Sequence, residues 1–279
     1  MSEPTRAPGA AEPAAPEAPT IDGGGALAVT DLSVSYAGIR ALDGVSLEVG
    51  EGERVGLIGP NGAGKTTLLD CVSGVRVPER GRVVLGGDDV TRWPMHRRAR
   101  RGLGRTFQRV GLFAEMTVRE HLVVAERAHR GAVALPGDLV GRGRTTAAEI
   151  ARSDEVLARL GIDDLADEPV EALTLGQARL VEVARALATE PAVLLLDEPS
   201  SGLDGRETGA LAATLRTVQR SRAVAIVVVD HDLELVSGFT ERCFVLDFGR
   251  LIARGPTAEV LADPRVRAAY LGEPAGAAS

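Results

Sequence analysis

Apolar and polar positions begin to alternate at Ala26. The stretches ALAVTDLSVSY, RALDGVSLEV and ERVGLIG read as successive short strands separated by turn residues. GKTTLLDCVSGV then reads as a helix, and GRVVLGGDDV returns to strand. Between residues 117 and 190 the apolar spacing lengthens to three and four. TVREHLVVAERAHR and AAEIARSDEVLARLG predict two helices, joined by a Gly-, Pro- and Arg-rich connection at 131–144. Strand character resumes at AVLLLD and AVAIVVVD, with a helix over about 205–220 between them. Neither strand has a polar face. Such strands are buried on both sides, which suits parallel strands covered by helices. CFVLDFG and RLIARG predict a closing hairpin, and TAEVLADP a short helix. No segment repeats.

Composition bounds the partners. The 279 residues leave room for one or two domains and a sizeable core. A net charge of -7 argues against a polyanion binder, so no nucleic acid is expected. Residues 1–26 are rich in Ala, Pro, Gly and Glu without apolar periodicity and predict a disordered tail; residues 274–279 form a short C-terminal tail. Cys71 and Cys243 lack metal-like spacing and read as reduced, buried thiols. The longest apolar runs, AVLLL and AVAIVVV, fall short of the roughly 20 residues of a membrane span. No secretory signal pattern opens the chain. The run RRARRGLGR (97–105) reads as a solvated helix face, since no aromatics interleave with its charges. His96, His121 and His129 are expected to face solvent.

The candidate chemistry starts at GPNGAGKTT, residues 59–67. Gly59, Gly64, Lys65 and Thr66 fit G-x-x-x-x-G-K-[ST], between an apolar strand and a helix, which is the context this phosphate-binding loop requires. Backbone N–H groups from Gly59, Pro60, Asn61, Gly62, Ala63, Gly64, Lys65, Thr66 and Thr67 (Pro60 lending only its fixed turn) would wrap phosphate oxygens, helped by the helix N-terminus. Thr66 offers a hydroxyl to Mg2+. Lys65 is the sole lysine of the chain. Its compact ammonium suits a tight loop against β- and γ-phosphates, where the planar fork of Arg needs different geometry. Asp197 ends the strand AVLLLD and can hold Mg2+ directly or through water. Glu198, next to it, is placed to act as general base on an attacking water.

In this order the motifs resemble those of the nucleotide-binding subunits of ABC transporters, over about residues 27–273. The resemblance implies one α/β cassette: a P-loop NTPase core with an antiparallel β subdomain and an inserted helical subdomain at about 117–190. It implies ATP and Mg2+ as ligands. Tyr36 in SYAG would stack on adenine. Gln108 in RTFQ would sense Mg2+ and the membrane subunit. LTLGQ (173–177) is similar to the signature loop; Thr174, Gly176 and Gln177 would meet a nucleotide, and Leu175 stands where the family usually has Gly. SGLD (201–204) is similar to the D-loop, with Asp204 crossing to a partner. His231 matches the switch histidine that contacts the γ-phosphate, catalytic beside Glu198 and Lys65. In the family the signature loop serves the P-loop of a second cassette, so hydrolysis implies a dimer.

RGLGRTFQRVGLFAEMTVREHLVVA and LIARGPTAEVLADPRVRAAYLGE are similar to the ATPases of branched-chain amino acid importers; importers of urea or short amides look alike. The resemblance implies a second ABC ATPase (a heterodimer favoured, a homodimer possible), two membrane permeases, indirectly a solute-binding protein, and a peripheral place on the cytoplasmic face of the cell membrane. The connection 131–144 is shorter than in the longer ATPase of that system. The alternatives are an ABC exporter of the lipopolysaccharide-export type and a soluble, non-transport ABC ATPase.

Overall fold

In a computed structural model, residues 25–107, 111–131 and 145–271 are described. The tail up to residue 24, Gln108, the connection at 132–144 and the end from 272 lie outside the described residues. Along the chain run β1 (Leu27–Tyr36), β2 (Ile39–Val49), β3 (Arg54–Ile58), α1 (Lys65–Ser73), β4 (Arg80–Leu85), β5 (Asp88–Asp89), α2 (Met95–Arg100), β6 (Leu103–Arg105), α3 (Val118–Arg130) and α4 (Ala147–Leu160). Then come α5 (Leu175–Leu187), β7 (Val193–Asp197), α6 (Gly205–Arg222), β8 (Ala225–Val229), α7 (Leu233–Phe239), β9 (Arg242–Asp247), β10 (Arg250–Pro256), α8 (Thr257–Ala262) and α9 (Pro264–Leu271).

The strands form two sheets. One is antiparallel, in the order β2-β1-β4-β5. The other runs β10-β9-β3-β8-β7-β6, parallel except for β10 at its edge. The expected α/β architecture with an antiparallel sheet and a helical insert is the observed one. Every residue of β7 and β8 is buried. Their period-two alternation divides the core. Leu194, Leu196, Ile226 and Val228 pack with residues of the helical insert and α6. Val193, Leu195, Val227 and Val229 pack with α1 and the antiparallel sheet. A third cluster lies under α7, α8 and α9.

Local sequence explains most boundaries. Helices α3, α4 and α5 each open on a reciprocal capping box: Thr117 with Glu120, Thr146 with Glu149, Thr174 with Gln177. GRVVLGGDDV is not one strand; Gly86 and Gly87, both at positive φ, cut it into β4 and β5. Strand β6 has no periodicity to announce it. Gly104 lets it lie beside β7, since a Cβ there would sit 3.2 Å from the Pro191 and Leu194 side chains.

The arginine run is only in part a solvated face: Arg97, Arg100 and Arg101 are exposed. Arg98 is fully buried. Its guanidinium donates to the carbonyls of Cys71 (2.6 Å), Val72 (2.7 Å), Thr91 (2.8 Å) and Trp93 (3.0 Å). Cys71 and Val72 belong to the last turn of α1, so one cation satisfies carbonyls that the helix cannot. Gly74, at φ 82°, makes room: a Cβ there would come within 2.8 Å of Arg98 Nε. Arg97 stacks on Trp93, and Arg101 pairs with Asp88. His121 is likewise buried, contrary to the expectation of solvent exposure. Its Nε2 accepts the Phe113 N–H (2.8 Å), and Nδ1 donates to the Thr117 carbonyl (2.9 Å). His129 is half-buried and His96 exposed.

Arg98 and His121, both buried, can be tested by substitution. Arg98→Met leaves helix-end carbonyls unpaired and should cost about 3 kcal/mol, read as a Tm fall of roughly 6–12 °C; a shift under about 2 °C would show that α1 does not depend on this cap. Burial lowers the pKa of His121, so the folded chain keeps it neutral. Its contribution is therefore complete above the unfolded value of about 6.5 and is lost as pH falls below it. Stability measured between pH 7 and 5 should fall less in His121→Gln than in the parent. Equal slopes would remove His121 as a source.

Candidate functional site

The phosphate-loop residues lie between β3 and α1, and backbone contacts fix them from three sides. Gly59 lies against β9: a Cβ there would collide with the Leu246 carbonyl oxygen. Gly64, at φ 106°, lies against β2, where a Cβ would stand 2.5 Å from the Ala41 carbonyl oxygen. The Gly249 N–H donates to the Ala63 carbonyl (2.9 Å), and the Gly59 N–H to the Tyr270 hydroxyl of α9 (2.8 Å). Gly62 is different: it has positive φ and nothing within 4 Å of a built Cβ. No side chain caps α1. Its first N–H groups, at Lys65, Thr66 and Thr67, therefore offer an anion site with the favourable end of the helix dipole.

Lys65 folds over this loop. Its Nζ donates to the carbonyls of Gly59 (2.6 Å) and Pro60 (3.0 Å). Burial lowers its pKa, while the nearby carboxylates of Glu198, Asp197 and Asp230 oppose that shift. The loop, the lysine and these carboxylates are thus one electrostatic group at the carboxyl edge of the parallel sheet.

The carboxylates differ in environment. Asp197 ends β7 and is 3% exposed. Its N–H donates to Thr106 Oγ1 (3.2 Å), and its Oδ2 accepts from Arg105 Nη2 (3.0 Å). Its Oδ1 is buried without a partner among the described residues. Burial raises its pKa against the pull of Arg105. A buried, orphaned carboxylate oxygen fits a hard divalent cation or a water bound to one. Among the described residues no group of three or more His, Cys, Asp or Glu could hold a metal unaided. Mg2+ commonly takes one or two carboxylates and completes its shell with substrate phosphates and water, so Asp197 with the Thr66 hydroxyl suits it. Glu198 is half-buried, with a left-handed backbone (φ 49°), and its N–H bonds the Val229 carbonyl (2.7 Å).

The sequence reading missed Asp230. It is fully buried and accepts four bonds: from Ser200 N–H (3.1 Å), Ser200 Oγ (2.8 Å), His231 N–H (2.7 Å) and Asp232 N–H (2.9 Å). One carboxylate therefore ties the lead-in of SGLD to the His231 loop. The signal was available, because Asp230 directly follows an apolar strand, much as Asp197 closes one. The His231 side chain is 61% exposed, with Nδ1 3.6 Å from Asp230 Oδ1. Arg105, Thr106 and Tyr270 also went unread.

The other candidates stand elsewhere. Tyr36 ends β1, partly exposed, and the Arg76 guanidinium covers one face of its ring at 3.8 Å from the centroid. Thr174 and Gln177 bond each other across the start of α5. Gly176 faces Glu207, whose Oε1 would be 3.0 Å from a Cβ. Leu175 packs on Gly202, and Asp204 caps α6 through the Glu207 N–H (2.8 Å). Signature-like and D-loop-like residues therefore form a second group. Among the described residues no hydrogen bond or ion pair joins it to Lys65. Gln108 lies outside the described residues.

Comparison with known proteins bears on this geometry. The family described as ABC transporter matches residues 42–201, and that described as branched-chain amino acid ATP-binding cassette transporter matches residues 250–276. The chain is similar to the high-affinity branched-chain amino acid transport ATP-binding protein BraF of Pseudomonas aeruginosa, 36% identical over 251 residues (88% of this chain, 98% of that protein). It is 38% identical over 253 residues to LivG of Salmonella typhimurium, which bears the same description, again covering 88% and 98%. Among solved structures it is similar to the ADP conformation of MJ1267, an ATP-binding cassette of an ABC transporter. That match has TM-score 0.79 and 28% identity, over 88% of this chain and 98% of the other. It is also similar to the dimeric MJ0796 cassette, with TM-score 0.68, 25% identity, and 83% and 98% coverage.

The two carbonyls under the Lys65 ammonium leave a narrow seat. Lys65→Arg should weaken ATP binding by about tenfold or more, since a planar fork cannot occupy a point-charge position. Equal affinity in a titration with fluorescent ATP would refute the shape argument.

Proposed function

Because the chain belongs to the ABC transporter family of ATP-binding proteins, we propose that it hydrolyses ATP to drive import of branched-chain amino acids or related small solutes. One observation carries the hydrolytic part: Lys65 shares an edge of the sheet with Asp197 and Glu198, above an uncapped helix N-terminus. The solute class rests on similarity to BraF and LivG and on the match at residues 250–276.

The chain's own groups divide the chemistry. Backbone N–H groups among residues 61–67 and the Lys65 ammonium bind the β- and γ-phosphates of ATP. Thr66 and Asp197 hold Mg2+, with Gln108 as a further ligand. Bound there, the ion would neutralise negative charge on the phosphates. Glu198 orients a water and takes its proton as the oxygen bonds to the γ-phosphorus and the bond to the bridging oxygen breaks. ADP and phosphate leave. His231 contacts the γ-phosphate, held in place by the bonds that Asp230 accepts from its loop. Tyr36 stacks on adenine with the ring face that Arg76 does not cover.

Thr174, Gly176, Gln177 and Asp204 serve a second cassette docked head to tail. The similar MJ0796 cassette has a dimeric form, which supports pairing with a second cassette. We take the partner to be a sister ATPase, with two permeases and, through them, a solute-binding protein. No helix among the described residues is long and apolar enough to cross a membrane. Attachment to the cytoplasmic face is therefore assigned to the permeases.

Glu198→Gln should leave ATP affinity near that of the parent and lower turnover by at least about 100-fold in the assembled complex. Hydrolysis within about twofold of the parent would sink the general-base assignment. Reconstituted with its permeases and binding protein in vesicles, the parent should take up labelled leucine in an ATP-dependent manner. Uptake of urea or a short amide instead would keep the importer and change its solute.

A further inference from the structure

We propose that Arg105 is a positioning residue that clamps α1 to β7 and thereby sets the separation of Thr66 from Asp197. This rests on the reading of those two residues as Mg2+ ligands. Arg105 ends β6 with its side chain only 7% exposed. Its Nη2 donates to Asp197 Oδ2 (3.0 Å); its Nη1 donates to Asp70 Oδ1 (2.8 Å) and Ser73 Oγ (2.7 Å). The guanidinium also lies 5.0 Å from the Phe107 ring centroid, which limits its rotation.

The geometry has a direction. Thr66, Asp70 and Ser73 are spaced i, i+4, i+7 on α1 and so share one stripe of the helix. Arg105 grips that stripe with one nitrogen and the end of β7 with the other. The neighbouring residue completes the hold. The Thr106 N–H donates to the Leu195 carbonyl (2.9 Å), and Thr106 Oγ1 accepts the Asp197 N–H (3.2 Å). Asp197 is thus fixed through its backbone and through Oδ2, while Oδ1 has no partner among the described residues. A fork that reaches two elements at once does this; a point charge does not. One guanidinium between the Asp70 and Asp197 carboxylates also leaves the cluster net negative, as a divalent cation requires.

The test uses the full chain carrying Glu198→Gln, so that nucleotide stays intact, and reads Mn2+ binding to the ATP-loaded protein by electron paramagnetic resonance. Arg105→Lys should weaken Mn2+ binding by about 10- to 100-fold, as removal of a support behind a metal ligand commonly does. ATP affinity in excess EDTA should stay within about twofold, because the phosphate loop is untouched. Mn2+ affinity within about twofold of the parent, even with a lower Tm, would make Arg105 a structural ion pair only and overturn the proposal. If Arg105→Lys does not fold, Asp70→Asn decides. It releases only the α1 arm and should weaken Mn2+ binding severalfold; unchanged metal affinity there overturns the clamp. A parent that binds ATP normally but no Mn2+ would overturn the metal site and the clamp with it, leaving the phosphate loop standing.

Discussion

Holding several carboxylates close together beneath a phosphate site is the constraint on which this molecule depends. Asp197, Glu198 and Asp230 stand near enough to act on a single ammonium. Like charges at that proximity oppose folding unless each has its own compensation. Three different solutions are present. Asp230, fully buried, receives four N–H or O–H donors. Asp197 receives one arm of Arg105, and its other oxygen has no partner among the described residues. Glu198 remains half-buried and is not paired in this way. Carboxylates whose environments differ take different roles, and in the mechanism we propose the order runs from anchor to ion ligand to proton acceptor.

That arrangement also explains how distant parts of one subunit are joined. Asp230 holds Ser200, and Ser200 leads directly into Ser201, Gly202, Leu203 and Asp204. Gly202 lies under Leu175, so the bulky third residue of LTLGQ fills the space that the D-loop glycine leaves open. A continuous line of contacts therefore runs from the His231 loop through Asp230 and the D-loop to the start of α5. The departure at Leu175 adds a contact between the two loops that glycine cannot make.

Much of this was legible in the sequence because it rests on local rules. The phosphate loop follows a strand and opens a helix, Thr174 caps α5, and the wholly apolar strands run parallel and buried. What escaped depends on contacts between segments far apart in sequence. Nothing in RRARR distinguishes Arg98, which turns inward to carbonyls of residues 71 and 72, from Arg97, which lies on Trp93. β6 is three residues long with a central glycine, and only its parallel pairing with Val193, Leu194 and Leu195 of β7 makes it a strand. His121 reads as polar, yet both ring nitrogens are satisfied inside the helical insert. Asp230 was the one legible omission, since it repeats the pattern of Asp197.

The uneven use of cations follows from the same geometry. Where this chain buries or half-buries an arginine, the fork commonly bridges several partners. Arg98 serves four carbonyls, and Arg105 serves two carboxylates and a hydroxyl. Arg242 holds both oxygens of Glu53 and the Glu48 carbonyl, and Arg127 holds both oxygens of Glu149. These positions need a planar donor array that stays charged when desolvated. The phosphate loop needs the opposite. Gly59 and Pro60 present two neighbouring carbonyls to one nitrogen, and the contacts that pin Gly59 and Gly64 leave the loop little room to widen. A single small ammonium on a flexible stem can sit on those carbonyls and move to a phosphate without rearranging the loop. The sole lysine of the chain stands at the position where a fork has too many arms.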